Sequence, residues 1–308
     1  MDPLSDVLAL LKPRSYVSAG FDAGGDWAVR YPPNVGIKCY SIVSGQCWLA
    51  VDGVAEPTLL TAGDCFLLPG GRPFVMASDL SLPPTDSAEV FAAPRVAGVI
   101  RHNGGGACLM VGSRFFLEHS HAGILLAMLP PVVHLRREPD QEALLWSVKR
   151  MMRELHEQRP GSALMAEHLA HMMLILALRL HMEEGAKGSG ADAGVGWLFA
   201  LADRQMGAAL SAMHAQPAQR WTLEALAQRA GMSRSAFALK FKTMVGASAM
   251  EYLTRWRMLL AGDKLLHSGA PISVIAPSLG YESESAFSTA FKRVMGSSPR
   301  EYARKQGA

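Results

Sequence analysis

The amino-acid sequence predicts an α+β, multidomain chain. A strand-rich N-terminal barrel with a helical extension precedes an all-α C-terminal domain carrying two helix-turn-helix units. Three observations carry this reading. Residues 233–252 are rewritten fifty positions later as residues 283–302. The apolar pattern changes from strand-like to helical near residue 138. A Gly/Ala/Ser-rich stretch at 185–196, without periodicity, separates the last third from the rest.

The repeat defines the C-terminal part. Ser233, Ser235, Ala236, Phe237, Phe241, Lys242, Gly246, Ser248, Glu251 and Tyr252 return as Ser283, Ser285, Ala286, Phe287, Phe291, Lys292, Gly296, Ser298, Glu301 and Tyr302. Self-similarity at a fixed spacing marks a duplicated supersecondary unit, and two copies are too few for a solenoid. In the first copy Thr222 suits the N-cap of a helix with Leu223, Leu226 and Ala227 inward. Gly231 makes the turn, because it tolerates positive φ. Ser233 then caps a second helix that packs through Phe237, Phe241 and Val245. The second copy repeats the plan. Ile272, Ile275 and Ala276 lie inward, Gly280 turns, Ser283 caps, and Phe287, Phe291 and Val294 pack. Residues 249–266 read as one connecting helix through Met250, Leu253, Trp256 and Leu260. At ~1.5 Å per residue it spans roughly 27 Å, near the ~34 Å of one duplex turn.

Two such units at matched positions on a rigid spacer point to a reader of double-stranded promoter DNA. The outward faces supply base-facing candidates: Arg234, Ser235, Ala238 and Leu239 in the first unit, Glu284, Ser285, Ser288 and Thr289 in the second. Phosphate candidates are Ser233 and Ser283 at the helix starts, with Lys240, Lys242, Arg255, Lys292, Arg293 and Arg300. Few of the base-facing side chains are long and polar, which gives DNA shape and thymine methyls a larger share of the readout. The charge balance agrees: residues 196–308 hold 14 Lys and Arg against 7 Asp and Glu, whereas the whole chain has a net charge of only +3.

Residues from about 204 to 306 resemble the DNA-binding domain of AraC/XylS-type transcriptional regulators. The motifs that carry the resemblance are LEALAQRAGMSRSAF, the spacer run MEYLTRWRM, and ISVIAPSLGYESESAFSTAFKRVMGSSPREY. It implies a first domain helix from Arg204 to Ala215, motifs at 223–244 and 271–294, and a domain at 197–308. The family often places Arg at the positions of Leu239 and Thr289, so base preference does not transfer from relatives. Pro277 removes a backbone donor inside the first helix of the second unit. Gly262 in the spacer costs roughly 1 kcal/mol against Ala and favours a bend.

The N-terminal part opens on a short amphipathic helix within residues 1–14. Strand texture follows from about Ala28 to Val111. Ile37, Cys39, Ser41 and Val43 alternate with Lys38, Tyr40 and Ile42. Ser44-Gly45 reads as a two-residue hairpin turn and Asp52-Gly53 as another. Cys65–Leu68 reads as a short buried strand. From Glu138, Leu144, Val148, Met151 and Leu155 share a helix face. After Pro160-Gly161, Met165, Leu169, Met172, Leu176 and Leu180 form a second stripe, either buried in the subunit or a homodimer seam. Residues 63–71, GDCFLLPGG, resemble the second half-motif of cupin barrels. That resemblance implies a sensing or effector domain at 1–137 with an unidentified small molecule as effector; the helical extension at 138–184 carries the stripe that is either a dimer seam or buried. Metal-binding cupins carry a His where this chain has Phe74, and no His-x-His precedes it in strands 37–51, so neither a metal nor another cofactor is expected.

Other residues receive plainer readings. His119 and His121 fall after the cupin motif and read as loop or surface histidines; His168 and His171, beside Glu167, read as a satisfied helix surface. With Ser44-Gly45 as a two-residue hairpin turn, Ile42 faces Cys47 while Cys39 sits three positions away on the opposite face, which disfavours a Cys39–Cys47 disulfide and leaves ordinary buried thiols. Leu169–Leu180 reads as too short and polar for a membrane span. The N-terminus shows no secretory pattern. The expectation is a cytoplasmic, non-enzymatic, effector-responsive transcription regulator, with RNA polymerase as a second partner class. Two alternatives stand beside it: the same regulator acting as a cysteine redox switch, and a cupin enzyme fused to a DNA-binding domain.

Overall fold

The structure, a computed structural model, describes residues 2–11, 14–34, 36–116, 130–136, 142–187 and 196–306. It divides into two compact units: residues 13–118 with 129–184, and residues 1–12 with 119–128 and 185–308. The chain begins with helix α1 (Pro3–Leu11). Among the described residues ten strands follow: β1 (Arg14–Ala23), β2 (Ala28–Tyr31), β3 (Ile37–Val51), β4 (Thr58–Thr61), β5 (Cys65–Leu68), β6 (Phe74–Ala77), β7 (Thr85–Asp86), β8 (Val99–His102), β9 (Cys108–Phe116) and β10 (Val133–Leu135). The short α2 (Ser87–Val90) lies between β7 and β8, and α3 (Glu142–Glu157) and α4 (Ser162–Lys187) come after β10.

The strands form one curled mixed sheet ordered β7-β2-β6-β3-β9-β1-β8, with β4 and β5 also paired to β3 and β10 to β5. It wraps an apolar core that includes Trp27, Tyr31, Ile42, Leu49, Phe66, Phe74 and Met110. The opposite face of β3 and β9 is covered as well. The Ser113 hydroxyl on β9 donates to the Met151 sulfur of α3 at 3.9 Å. The His171 ring of α4 meets Phe115 edge-on at 5.5 Å.

Strand β3 corrects the hairpin expectation. It runs unbroken through Ser44-Gly45, with a register shift between Ile42 and Ser44 against β9. Gly45 takes φ 77°, and a Cβ there would lie 1.9 Å from the Ala107 carbonyl oxygen. The glycine therefore marks a bulge that bends a long strand, not a reversal. The bulge also switches parity, so Ile42 before it and Cys47 and Leu49 after it reach the same core.

Helix α3 buries Leu144, Val148 and Met151, as the spacing predicts. Helix α4 does not follow its predicted stripe. The buried positions are Ala166, Leu169, Ala170, Met173, Leu174, Ala177 and Leu178, whereas Met165 is 44% exposed. Small residues at 166, 170 and 177 permit close approach, and a helix apolar on two sides gives no single period to read. By length and composition alone Ser162–Glu183 is apolar enough to cross a membrane, contrary to the sequence expectation. His168, His171, Arg179 and His181 punctuate it.

The second unit is helical: α5 (Trp197–Ala202), α6 (Arg204–Ala215), α7 (Leu223–Arg229), α8 (Arg234–Val245), α9 (Ala249–His267), α10 (Ile272–Ser278), α11 (Glu284–Met295) and α12 (Pro299–Gln306). Helix α1 belongs to it, packing on α6 and α9 through buried Leu4, Val7 and Leu10. The sequence placed α1 with the strands, because adjacency in the chain is the default prior and a nine-residue amphipathic helix does not name its partner. Gly262 serves packing: a Cβ would stand 3.1 Å from both Met295 Cε and the Tyr302 hydroxyl.

His214 on α6 is buried, stacked on Trp256 at 4.1 Å, with its Nε2 2.8 Å from the Tyr252 hydroxyl. Burial lowers its pKa to about 3. The imidazole is therefore neutral, and its 3.5 Å approach to Asp6 of α1 is not an ion pair. The unfolded chain takes up this proton near pH 6.5, the folded chain only near 3, so the contribution of His214 to stability is lost as pH falls through that window. Urea titrations of the wild type and His214→Phe should show the wild-type advantage at pH 7 shrinking by pH 5.

Candidate nucleic-acid interface

Each helix-turn-helix unit is set by local chemistry. Thr222 caps α7 by accepting from the Ala225 amide, and Ser233 and Ser283 cap α8 and α11 by accepting from Ala236 and Ala286. Gly231 and Gly280 make the turns at φ 64° and 80°. Gly280 is doubly constrained, since a Cβ would also lie 2.4 Å from the Ala218 carbonyl oxygen. A Ser248–Glu251 capping box starts α9, and Ser298 and Glu301 repeat those bonds before α12.

The fifty-residue repeat is also a repeat of packing. Phe237 and Phe241 have centroids 5.6 Å apart, Phe287 and Phe291 5.8 Å. Phe241 meets Tyr252 at 6.0 Å and 72°, and Phe291 meets Tyr302 at 5.4 Å and 75°. In both units these aromatics pin the second helix onto a fixed floor, leaving its other face to solvent.

The outward residues stand as follows. Arg234, Ser235, Glu284, Ser285 and Thr289 are exposed, Ala238 and Ser288 half-exposed, and Leu239 is 71% exposed. Arg234 Nε lies 3.0 Å from Glu224 Oε1. The Thr289 hydroxyl donates to the Ser285 carbonyl at 2.9 Å. Among the phosphate candidates, Lys242, Arg255, Lys292, Arg293 and Arg300 are exposed. Arg255 and Arg293, with Glu251, Thr254 and Val294, line a groove of about 480 Å³ between α9 and α11. Lys240 is placed otherwise. Its ammonium bonds Asp203 Oδ2 at 2.7 Å and Gln205 Oε1 at 2.9 Å, tying α8 to the start of α6. Asp203 also caps α6 through the Gln205 and Met206 amides, and these bonds hold its carboxyl below the usual range despite burial.

Arg257 was not singled out in the sequence. From the half-buried side of α9 it donates to the Pro217 carbonyl at 2.6 Å and the Gln219 carbonyl at 2.8 Å. Its guanidinium also lies over Tyr281 at 5.8 Å. The spacer is thus fastened both to the loop before α7 and to the loop before α11. The W-R-M run holds the signal, but only the fold shows which way the arginine reaches.

Residues 2–183 match a family model described as a cupin, and residues 226–305 one described as a helix-turn-helix domain. An AraC-like transcription regulator from Streptomyces antibioticus is 45% identical over 98% of both chains. The chain belongs to the AraC-like transcription regulators. A second such regulator, from Streptomyces lividans, is 43% identical over 98% of both chains. Among solved structures, the DNA-binding domain of AdpA in complex with a target DNA is 30% identical, covers 33% of this chain and 92% of its own, and has a TM-score of 0.32.

In this AraC-like regulator, Phe74 lies inside the sheet, stacked on Tyr31 at 4.4 Å. Among the described residues no three His, Cys, Asp or Glu side chains gather into a metal-ligand set. His119 and His121 lie outside the described residues. His171 bonds its own helix through the Glu167 carbonyl at 2.9 Å. The four cysteines are free thiols, buried in two pairs that the sequence did not suggest. Cys39 and Cys65 have sulfurs 3.9 Å apart, and Cys47 hydrogen-bonds Cys108. The contact with Cys65 and then burial push the Cys39 thiol up, and contact with Cys108 and burial do the same to Cys47. The same contacts lower the thiols of Cys65 and Cys108.

Proposed function

We propose that this regulator binds promoter DNA through both helix-turn-helix units, with α8 and α11 entering neighbouring major grooves. The observation that carries this is the duplicated packing: two recognition helices pinned alike, each with a solvent-facing side, joined by a 19-residue helix clamped through Arg257. Ser233, Lys242, Arg255, Ser283, Lys292, Arg293 and Arg300 contact phosphates and set register. Arg234, Ser235, Ala238, Leu239, Glu284, Ser285, Ser288 and Thr289 face the bases. Lys240 serves the protein's own fold instead. The exposed Leu239 and the methyl of Thr289 suit thymine methyls better than guanine edges.

The sheet unit acts as a non-catalytic sensor whose small-molecule ligand alters DNA affinity, and the protein works in the cytoplasm. The test is fluorescence anisotropy of the full chain on duplexes selected from a random pool, with and without a metabolite panel. The reading requires sequence-dependent binding that at least one panel member shifts.

A further inference from the structure

Besides the spacer that joins them, the two helix-turn-helix units touch each other directly. The loop between α6 and α7 is braced from within. The Gln219 amide donates to the Gln216 carbonyl at 3.1 Å, the Trp221 amide to the Gln219 carbonyl at 2.8 Å, and Trp221 Nε1 to the Gln216 carbonyl at 3.0 Å. Arg257 of α9 grips this braced loop with two donors of one planar fork, Nε on the Pro217 carbonyl and Nη2 on the Gln219 carbonyl. The turn of the second unit reaches the same guanidinium. A Cβ at Gly280 would stand 2.9 Å from Arg257 Nη2 and 2.4 Å from the Ala218 carbonyl oxygen, so backbone meets backbone there. Beside it, the Tyr281 ring lies 5.8 Å from the guanidinium, and Glu282 pairs with Arg220. Residues 217–220 of the first unit thus form a seam with residues 280–282 of the second.

A spacer helix fixes how far apart the two units are attached. It does not by itself stop a small unit from rocking on the helix. Packed helices stand about 10 Å apart, so a rock of about 20° shifts a recognition helix by roughly 3.5 Å. That is close to one base-pair step of ~3.4 Å, enough to move a side chain from one base to the next. A seam from unit to unit removes this freedom, because rocking must break the Arg257 bonds or drive Gly280 against Ala218. The Arg220–Glu282 pair is exposed and contributes little; Arg257 and the close backbone approach carry the seam. We infer that this seam, with Arg257 as its positioning residue, makes half-site spacing part of what the protein recognises. The DNA it takes has two half-sites at one separation and one rotational phase, and a shifted spacing is rejected. Arg257 acts through the two reading heads and not on the bases. The proposal rests on the reading that both units engage one duplex, and adds the constraint between them.

The experiment is anisotropy titration of the full chain on a duplex selected from a random pool and on two derivatives of it. One derivative has a single base pair inserted between the two footprinted patches, the other a single base pair removed. Wild type, Arg257→Met and Arg257→Lys are compared, with a thermal melt of each. Wild type must lose at least tenfold in affinity on either derivative. Arg257→Met must lose less than threefold, whatever its affinity for the parent duplex. Arg257→Lys, whose ammonium lacks the planar fork that spans both carbonyls, must lie between them, and it carries the test if the Met variant melts below the assay temperature. A wild-type penalty below tenfold, or the full wild-type penalty in a folded variant, overturns the seam. A uniform loss of affinity with that penalty intact marks Arg257 as a folding residue only. Scrambling each patch in turn separates this proposal from the reading beneath it. If scrambling either patch leaves wild-type affinity unchanged, two-unit binding falls. If both patches are needed and a shifted spacing costs nothing, two-unit binding stands and the seam falls.

Discussion

Phe291→Ala should lower the stability of the C-terminal unit by about 3–5 kcal/mol in urea titration and cost most of the DNA affinity, whatever the sequence of the duplex. Phe291 is fully buried and touches both Phe287 and Tyr302. It joins a small cluster with Met258, Ile275, Leu279 and Met295 that connects α9, α10, α11 and α12. A cavity at that point has no bulky neighbour free to collapse into it. The orientation of α11 therefore loosens before the helix itself unwinds. Phe241→Ala should do the same to the first unit, since it holds the matching place beside Tyr252. An exposed change such as Lys292→Ala should leave stability within roughly 0.5 kcal/mol. If Phe291→Ala melted like the wild type, the packing account of the recognition helices would be wrong.

The Lys242→Ala/Lys292→Ala double variant should bind every duplex more weakly without changing preference among them. Each phosphate contact contributes a slope of about −0.9 in log affinity against log salt, so the pair should flatten the slope by about 2. The same relation makes each contact worth about eightfold between 1 M and 0.1 M salt, hence roughly sixtyfold for both at 0.1 M. Both lysines lie in the last turns of their helices and are exposed. Anisotropy titrations at several salt concentrations measure this directly. A shift in preferred sequence with an unchanged slope would instead assign these lysines to bases.

Much of the C-terminal unit was legible because its signals are local. Ser, Thr and Gly at helix ends act within a few residues, and the fifty-residue echo tied the two copies together. The starts of α7 and α8 follow directly from those caps, whereas the bounds of α6 came from the family resemblance. What escaped the sequence depends on the third dimension. Ser44-Gly45 carries hairpin chemistry, yet the close approach of the Ala107 carbonyl turned it into a bulge. The alternation around Lys38 assigns it no face; both faces of β3 are covered, and the lysine is buried. Lys240 looked like Lys242, but the two positions between them turn it about 200° around the helix, toward Asp203. Helix α1 docks on partners about two hundred residues away, a distance no periodicity can report.

The most direct test is a hydroxyl-radical footprint of the full chain on a duplex selected from a random pool. Two probes carried on one clamped spacer should protect two patches, about 10 base pairs apart on the same side of the helix, with the second patch lost in Phe291→Ala. A single patch, two patches half a turn out of phase, or an unchanged footprint in that variant would contradict the account.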